Sequence, residues 1–89
     1  MKVYAMAHKE SGTQYWARCI DDVMLEAEDE LKECGFTMDE IGDFRKALES
    51  LEPTKEGYAG EIVVFGPFIV SAEEMYEREY EALPEWDGW

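Results

Sequence analysis

Basic residues are scarce in this sequence of 89 residues: eight Lys and Arg stand against 22 Asp and Glu, and the formal net charge is −14. Such a chain is repelled by phosphate backbones and anionic lipids, so binding to nucleic acid or membranes through basic residues is excluded. The longest apolar run, residues 62–70, is interrupted by Gly66 and Pro67 and is far shorter than the about 20 residues that span a bilayer. The amino-terminal residues lack the apolar core of a signal peptide, so we expect a cytoplasmic protein.

Cysteine and histidine are also rare, and this limits the chemistry available. Cys19 and Cys34 are too few for a disulfide framework, and with His8 as the single histidine they lack the close spacing of a zinc site. A thiol hydrolase would need one cysteine beside His8. Because both cysteines fall on the apolar side of a predicted helix, we interpret them as small buried hydrophobic residues. No phosphate-binding loop, nucleophile elbow or EF-hand loop is present, so we expect no enzyme, metal or cofactor.

The chain nevertheless contains enough apolar material for one hydrophobic core. Apolar residues make up 46% of the sequence and aromatic residues 13%, which is typical of a folded domain rather than a disordered chain. The length predicts a single domain over residues 1–89. Residues 84–89, which include Trp86 and Trp89, are interpreted as a short carboxy-terminal tail.

The apolar spacing predicts two strands followed by two helices. In residues 3–8, small apolar residues alternate with Tyr4, Met6 and His8, which predicts a strand covered on one face and partly on the other. Residues 14–18 place Tyr15 and Ala17 on one side and Trp16 on the other, as in a return strand after a turn. From Cys19 the apolar period changes to that of a helix, which Gly35 ends. Thr37 and Glu40 form a capping box for a second helix, which ends before Pro53. The expected buried residues of the two helices are Ile20, Val23, Met24, Ala27, Leu31 and Cys34, then Met38, Ile41, Phe44, Leu48 and Leu51.

The second half of the chain is predicted to add a strand and a third helix. Residues 61–65 are rich in β-branched side chains, and the Gly-Pro pair that follows must kink or end their strand, with residues 68–70 pairing again at an edge. Ser71 and Glu74 match a second capping box, which predicts a helix from residue 71 to Pro84. Its expected apolar stripe is Ala72, Met75, Tyr76, Tyr80 and Leu83. The order ββααβα indicates an α+β fold, with a small, mainly antiparallel sheet and three helices on one face.

The negative charge is concentrated in the predicted helices. Residues 19–52 carry a net charge of −9 and residues 73–89 carry −6, whereas residues 1–18 carry +2. Many of these acids repel one another at i,i+4 spacing, at about 0.2–0.5 kcal/mol per pair. Between Asp21 and Glu33 the helix presents one negative charge per about 3 Å, close to the spacing of about 3.4 Å along one DNA strand. We therefore interpret the acids as a binding surface that imitates a polyanion.

The acidity has two alternative interpretations, and both stay open. Acidic helix faces are often only solvated surface, and a salt-loving host would select acidic proteins generally. On the binding interpretation, tryptophans beside acids would anchor a partner, although Trp86 could instead fold back over the core. The candidate partner-binding residues are Asp22, Glu26, Asp29, Glu30 and Glu33 of the first helix, Glu73, Glu77 and Glu81 of the third, and Trp86 and Trp89 of the tail.

Small size, a single domain, acidic helices and no catalytic signature together resemble the phage-encoded anti-defence proteins, which include anti-CRISPR and antirestriction proteins that act as DNA mimics. The resemblance rests on this profile and on no shared motif. It implies stoichiometric blockade of a basic protein that handles nucleic acid, such as a CRISPR–Cas effector or a restriction nuclease. The alternative is an ordinary interaction or regulatory module, antitoxin-like or an accessory subunit, whose acidity serves solubility. A homodimer through the edge at residues 61–70 is a further expectation.

Overall fold

The computed structural model describes residues 1–53 and 61–84, and these confirm the α+β fold and the order ββααβα, in which the last β segment is a hairpin of two strands. The elements are β1 (Lys2–His8), β2 (Gln14–Ala17), α1 (Ile20–Glu33), α2 (Met38–Glu49), β3 (Ile62–Phe65), β4 (Phe68–Glu74) and α3 (Glu77–Glu81). All four strands form one antiparallel sheet in the order β2-β1-β4-β3. Within the described residues, no helix is both long and apolar enough to cross a membrane.

The two faces of the sheet differ because the side chains of each strand alternate. α1 and α2 pack on one face, where the buried strand residues are Tyr4, Met6, His8, Ala17, Phe68, Val70 and Ala72. The opposite side is named the open face, and the strand register assigns to it Val3, which is fully buried, and Ala5, Ala7, Gln14, Trp16, Ile62, Val64, Ile69, Ser71 and Glu73. The core of the protein therefore lies between the sheet and the first two helices.

Both long helices bury the apolar side that their sequence spacing predicts. α1 buries Val23, Ala27 and Leu31, and α2 buries Ile41, Phe44 and Leu48. The ring of Phe44 stacks on that of Phe65, with 5.0 Å between centroids. Val23, Ala27 and Leu31 are spaced by four residues, so they form one line along the helix and meet the sheet together.

The ends of α1 and α2 follow the predicted signals, with some side chains placed differently. The capping box is confirmed: Glu40 N–H donates to Thr37 Oγ1 at 3.2 Å, and Thr37 N–H donates to Glu40 Oε1 at 3.0 Å. Gly35 follows α1 with a φ of +92°, the left-handed conformation that suits glycine. Met38, expected in the core, is 60% exposed, because the first residue of α2 extends past the packed part of the helix.

The expectation that both cysteines are buried is wrong. Cys19 and Cys34 are the residues that flank α1 at its two ends, and both are exposed. Their positions continue the apolar period of the helix, but the packed contact with the sheet is limited to the middle turns, where Val23, Ala27 and Leu31 lie. Helical periodicity thus predicts the direction of a side chain and not how far along the helix the core extends.

Gly66 and Pro67 form the turn of a hairpin between β3 and β4. Phe65 is opposite Phe68 in the register, so the turn has two central residues. Gly66 has a φ of +55°, and because the proline ring holds φ near about −65° the turn is of type II′ rather than I′. A Cβ on Gly66 would lie 2.9 Å from Cε2 of Phe36 and 3.1 Å from Cδ2 of Leu31. The hairpin therefore packs against the carboxy-terminal end of α1.

The third helix starts later than the sequence predicts. Ser71 to Glu74 continue β4, where they pair with residues 2–5 of β1, so the expected capping box of Ser71 and Glu74 does not form. α3 comprises five residues, and the N–H of Tyr76 donates to the carboxylate of Glu79 at 3.2 Å. β4 is also an interior strand, so the predicted edge pairing of residues 68–70 is wrong; among the described residues β3 is the outer strand on that side, and Pro53 forms an isolated bridge with Ala72. The seven-residue length of β1 decides this, because it offers backbone partners as far as Glu74.

Candidate protein-binding surface

The five candidate acids of α1 lie on one flank of the helix, beside the buried line of Val23, Ala27 and Leu31. At 100° per residue they fall within an arc of about 100°, and we call them the acidic flank: Asp22, Glu26, Asp29, Glu30 and Glu33. Asp29 and Glu33 are exposed, and the other three are half-buried. α1 contacts β1 and β2, so this set of carboxylates lies above the β2 side of the sheet.

Glu30 is held in place by a buried histidine. His8 is 5% exposed, and its Nε2 lies 3.1 Å from Oε1 of Glu30. Its Nδ1 accepts the backbone N–H groups of Glu10 and Ser11 at 3.2 and 3.4 Å. Since Nδ1 acts as an acceptor, the proton of the neutral ring belongs on Nε2, which donates to the carboxylate. His8 therefore connects the turn after β1 to the middle of the acidic flank, which is a positioning role.

Tyr15 of β2 lies beneath the amino-terminal half of the acidic flank. The pKa of its hydroxyl is raised to about 12, first by burial and then by the neighbouring charges of Asp22 and Glu26. The charge of an ionised Tyr80 would also raise it, so the two phenols are close to each other. Because these groups come from β2, α1 and α3, the pKa of Tyr15 indicates that the three elements meet at this side of the molecule.

An aromatic groove continues from Tyr15 along the outer edge of β2. It has a volume of about 300 Å³ and is lined by Gln14, Tyr15, Trp16, Tyr80, Glu81, Leu83 and Pro84. The hydroxyl of Tyr80 donates to the backbone carbonyl of Trp16 at 3.4 Å, which attaches α3 to the edge strand. Aromatic rings next to carboxylates offer both an apolar surface and negative charge, the combination that receives the stem and head of Lys or Arg.

Arg18 shows how a cation is held at this side of the molecule. Its guanidinium lies 5.0 Å from the ring centroid of Tyr80, and its Nη2 lies 3.4 Å from Oε1 of Glu77. The same two kinds of contact, a ring face and a carboxylate, are available to a basic side chain of a partner. Arg18 therefore provides an internal example of a cation held between an aromatic ring and a carboxylate.

The structure separates the three candidate acids of the predicted third helix. Glu77 and Glu81 lie on α3, at the β2 side of the molecule. Glu73 lies on β4 and belongs to the open face, so the prediction that it continues the strip of α3 is wrong. The reason is the extension of β4, which places Glu73 opposite Val3 in the sheet. Trp86 and Trp89 lie outside the described residues.

Few carboxylates of the acidic flank are neutralised by cations within the described part of the chain. Side-chain ion pairs with Lys or Arg join Asp21 to Arg45, Glu28 to Lys32 and Glu77 to Arg18, and these acids lie outside the flank. Asp22, Asp29 and Glu33 form no ion pair with another described residue. The flank therefore keeps a surplus of negative charge at the surface.

Three basic residues are instead grouped at the amino-terminal end of α1. Lys2, Arg18 and Arg45 line a cavity of about 300 Å³ together with Cys19 and Asp21. Three of the eight bases of the chain are thereby kept at one end of α1. Lys32 lies on α1 itself and pairs with Glu28, so this grouping leaves the acidic flank with its negative charge.

The aromatic groove and the contact between His8 and Glu30 have no signal in the sequence. Tyr15 and Tyr80 are 65 residues apart, and the sequence indicates only that each belongs to an amphipathic element. No group of three His, Cys, Asp or Glu residues in the described ranges could hold a metal ion. Comparison with protein-family models, curated proteins and solved structures finds no match for the chain.

Proposed function

We propose that this chain is a non-enzymatic protein that binds a basic, nucleic-acid-handling protein and blocks its nucleic-acid site by imitating a polyanion. The proposed partners are CRISPR–Cas effectors or restriction nucleases, and binding would take place in the cytosol. The observation that carries the proposal is the acidic flank of α1, which lies beside the aromatic groove and includes exposed Asp29 and Glu33, neither of them in an ion pair with another described residue.

The acidic flank supplies long-range attraction and the groove supplies contact. Carboxylates at helical spacing attract Lys and Arg residues that would otherwise contact phosphates, and they accelerate the encounter. The rings of Tyr15, Trp16 and Tyr80 can then pack against the aliphatic stems and guanidinium planes of those residues. Glu30, fixed by His8, adds a carboxylate whose position is set before binding. The surface therefore combines a fast encounter with local apolar contacts that slow release.

The test measures displacement of DNA from basic nucleic-acid-binding proteins. A panel of purified Cas effector ribonucleoproteins and restriction endonucleases is incubated with fluorescent cognate DNA, and the protein is titrated as a competitor. We expect competition with at least one of them, and we expect the inhibition constant to rise steeply between about 50 and 200 mM salt. The triple substitution Glu26→Lys, Asp29→Lys and Glu33→Lys should raise that constant more than about 100-fold.

The matched control places the same three charge reversals on α2, at the exposed residues Asp39, Asp43 and Glu49. Both triple variants change the net charge equally, so a difference between them reports the location of the charges and not their sum. Equal weakening by the two variants would show that bulk charge alone acts and would refute the acidic flank as the binding site.

A second candidate function is an ordinary interaction or regulatory module, antitoxin-like or an accessory subunit. The aromatic groove favours it, because half-buried Tyr15, Trp16 and Tyr80 form an apolar contact surface that does not depend on net charge. A partner of this kind should lose affinity on Trp16→Ala and respond little to salt. Competition data for Trp16→Ala and for the flank triple variant at two salt concentrations distinguish the two functions.

A further inference from the structure

The two edges of the sheet are protected to very different degrees. At the β2 edge, Tyr80 bonds the carbonyl of Trp16, and Arg18 pairs with Glu77 of α3. At the other edge, within the described residues, no strand pairs with the outer side of β3. β3 has the sequence IVVF and contains no Lys, no proline and no bulge, the devices that normally keep an edge strand from pairing with another chain.

The hairpin register fixes which backbone groups of β3 point outwards. In a hairpin with two central turn residues the flanking pair, Phe65 and Phe68, exchanges both hydrogen bonds, and the pattern alternates from there along the ladder. Val63 and Phe65 therefore direct their backbone groups to β4, while Ile62 and Val64 direct theirs away from the sheet. The side chains of Ile62 and Val64 are 59% and 52% exposed on the open face.

Charge decides what kind of strand can approach this edge. Residues 62–72 form an uncharged stretch of the sequence, bounded by Glu61 and Glu73. In a chain with a net charge of −14, a second copy is repelled from the acidic flank and meets little like charge at β3. In an antiparallel pair of β3 strands, the two Glu61 residues lie at opposite ends of the strand pair, so they do not face each other.

We propose that a second copy of this chain docks at the β3 edge, antiparallel and around a two-fold axis at Val63. In this register Ile62 of each copy lies opposite Val64 of the other. Both pairs then exchange hydrogen bonds between their outward-facing backbone N–H and C=O groups. Opposite residues must lie on the same face of the sheet, and this register satisfies that condition because Ile62 and Val64 both belong to the open face. The product is a continuous sheet of eight strands, with both open faces on the same side, and the dimer is isologous.

This dimer is independent of the proposed function, because the acidic flank of each copy lies on the β2 side of its own sheet. Sedimentation equilibrium is measured from about 1 to 500 µM protein at low and high salt, a range that covers weak and moderate dimers. We expect a concentration-dependent mass of two chains that salt does not reduce. A mass of one chain throughout would overturn the proposal and leave the polyanion mimicry untouched.

Backbone substitution tests the role of the edge itself. Val64→Pro removes an outward N–H and no hydrogen bond to β4, so we expect a folded monomer, with an unchanged circular dichroism spectrum. Val64→Thr keeps the N–H and the branched shape, and we expect it to remain a dimer. A Val64→Pro protein that folds and still dimerises would contradict β3 pairing and would indicate that the copies associate through another surface.

Cross-linking tests the register. In a variant with Cys19→Ser and Cys34→Ser, we expect Val63→Cys to form an intermolecular disulfide under oxidising conditions. In the proposed register, residue 63 of one copy lies opposite residue 63 of the other as a non-hydrogen-bonded pair, with Cα atoms about 4.5 Å apart. Ile62→Cys in the same background should not cross-link, because the register places it opposite Val64 of the other copy. The reverse result would overturn this register. A dimer that cross-links at neither position would overturn the β3 interface.

Discussion

The β2 and β3 edges belong to one sheet and yet expose different chemistry to a partner. The β2 edge is covered by α3 and is surrounded by carboxylates, phenols and Arg18, so contact there is made by side chains. The β3 edge is uncharged and offers backbone groups and the exposed Ile62 and Val64. A strongly acidic chain can thus hold a charged surface at one side and an uncharged strand edge at the other, because the width of the sheet separates them.

The stability of the two edges also rests on different features. β3 is positioned by the Gly66–Pro67 turn, which packs against Phe36 and Leu31, whereas β2 is joined to α3 by single polar contacts such as that of Tyr80 with Trp16. A turn with a positive φ that packs closely against side chains is costlier to disturb than a long hydrogen bond at the surface. Substitutions should therefore cost most stability at the β3 hairpin and least where α3 meets β2.

The greatest loss of stability is expected at the β3 side. Gly66→Ala should lower the free energy of unfolding by about 2–4 kcal/mol, because a Cβ at positive φ is strained and would press on the Phe36 ring. Gly12→Ala is the matched control: its φ is +72° and a Cβ there meets nothing within 4 Å, so about 1 kcal/mol of strain is expected. Urea unfolding of both variants measures the difference. Equal losses would show that the packing of the turn does not stabilise the β3 hairpin.

A smaller effect is expected from the titration of Tyr15 at the β2 side. Its pKa of about 12 in the folded chain exceeds the usual value of 10.0, so the unfolded chain loses the proton first. The resulting stabilisation is present below about pH 10 and is lost as the pH rises towards 12, and solvent screening limits it to about 1 kcal/mol. Urea unfolding at a series of alkaline pH values should show this loss for the wild type and for Tyr76→Phe, but a smaller loss for Tyr15→Phe. If the free energy of unfolding fell equally with pH in Tyr15→Phe and Tyr76→Phe, the contribution of Tyr15 would be contradicted.

The least effect is expected where α3 meets β2. Tyr80→Phe removes a hydroxyl that donates over 3.4 Å and should cost about 0.5 kcal/mol of stability. Tyr76→Phe, at an exposed tyrosine immediately before α3, should cost nothing measurable and serves as the control in thermal unfolding. The sedimentation mass of Tyr80→Phe should equal that of the wild type, since β2 is not the proposed dimer edge. A higher mass would show that the Tyr80 contact is what prevents association at β2.

Local patterns predict the early part of this fold well and the later part poorly. The line of Val23, Ala27 and Leu31 and the capping box at Thr37 need only neighbours within a few residues, and the structure contains both. The pattern at Ser71 and Glu74 has the same capping form, yet β1 supplies a longer ladder that keeps this segment in β4. A capping box is a preference of roughly 1 kcal/mol, which several ladder hydrogen bonds and the burial of Ala72 exceed.

Residue spacing and end signals were enough to establish the elements up to α2, the placement of acids on one side of α1 and the α+β order, because these signals act over one or two helical turns. The folded chain was needed to show that Glu73 lies on the open face, that the cysteines are exposed, that Tyr15 and Tyr80 meet and that no other described strand pairs with the outer side of β3. These outcomes depend on contacts between segments that are far apart in the chain. The spacing of neighbouring residues carries no information about the energies of such contacts.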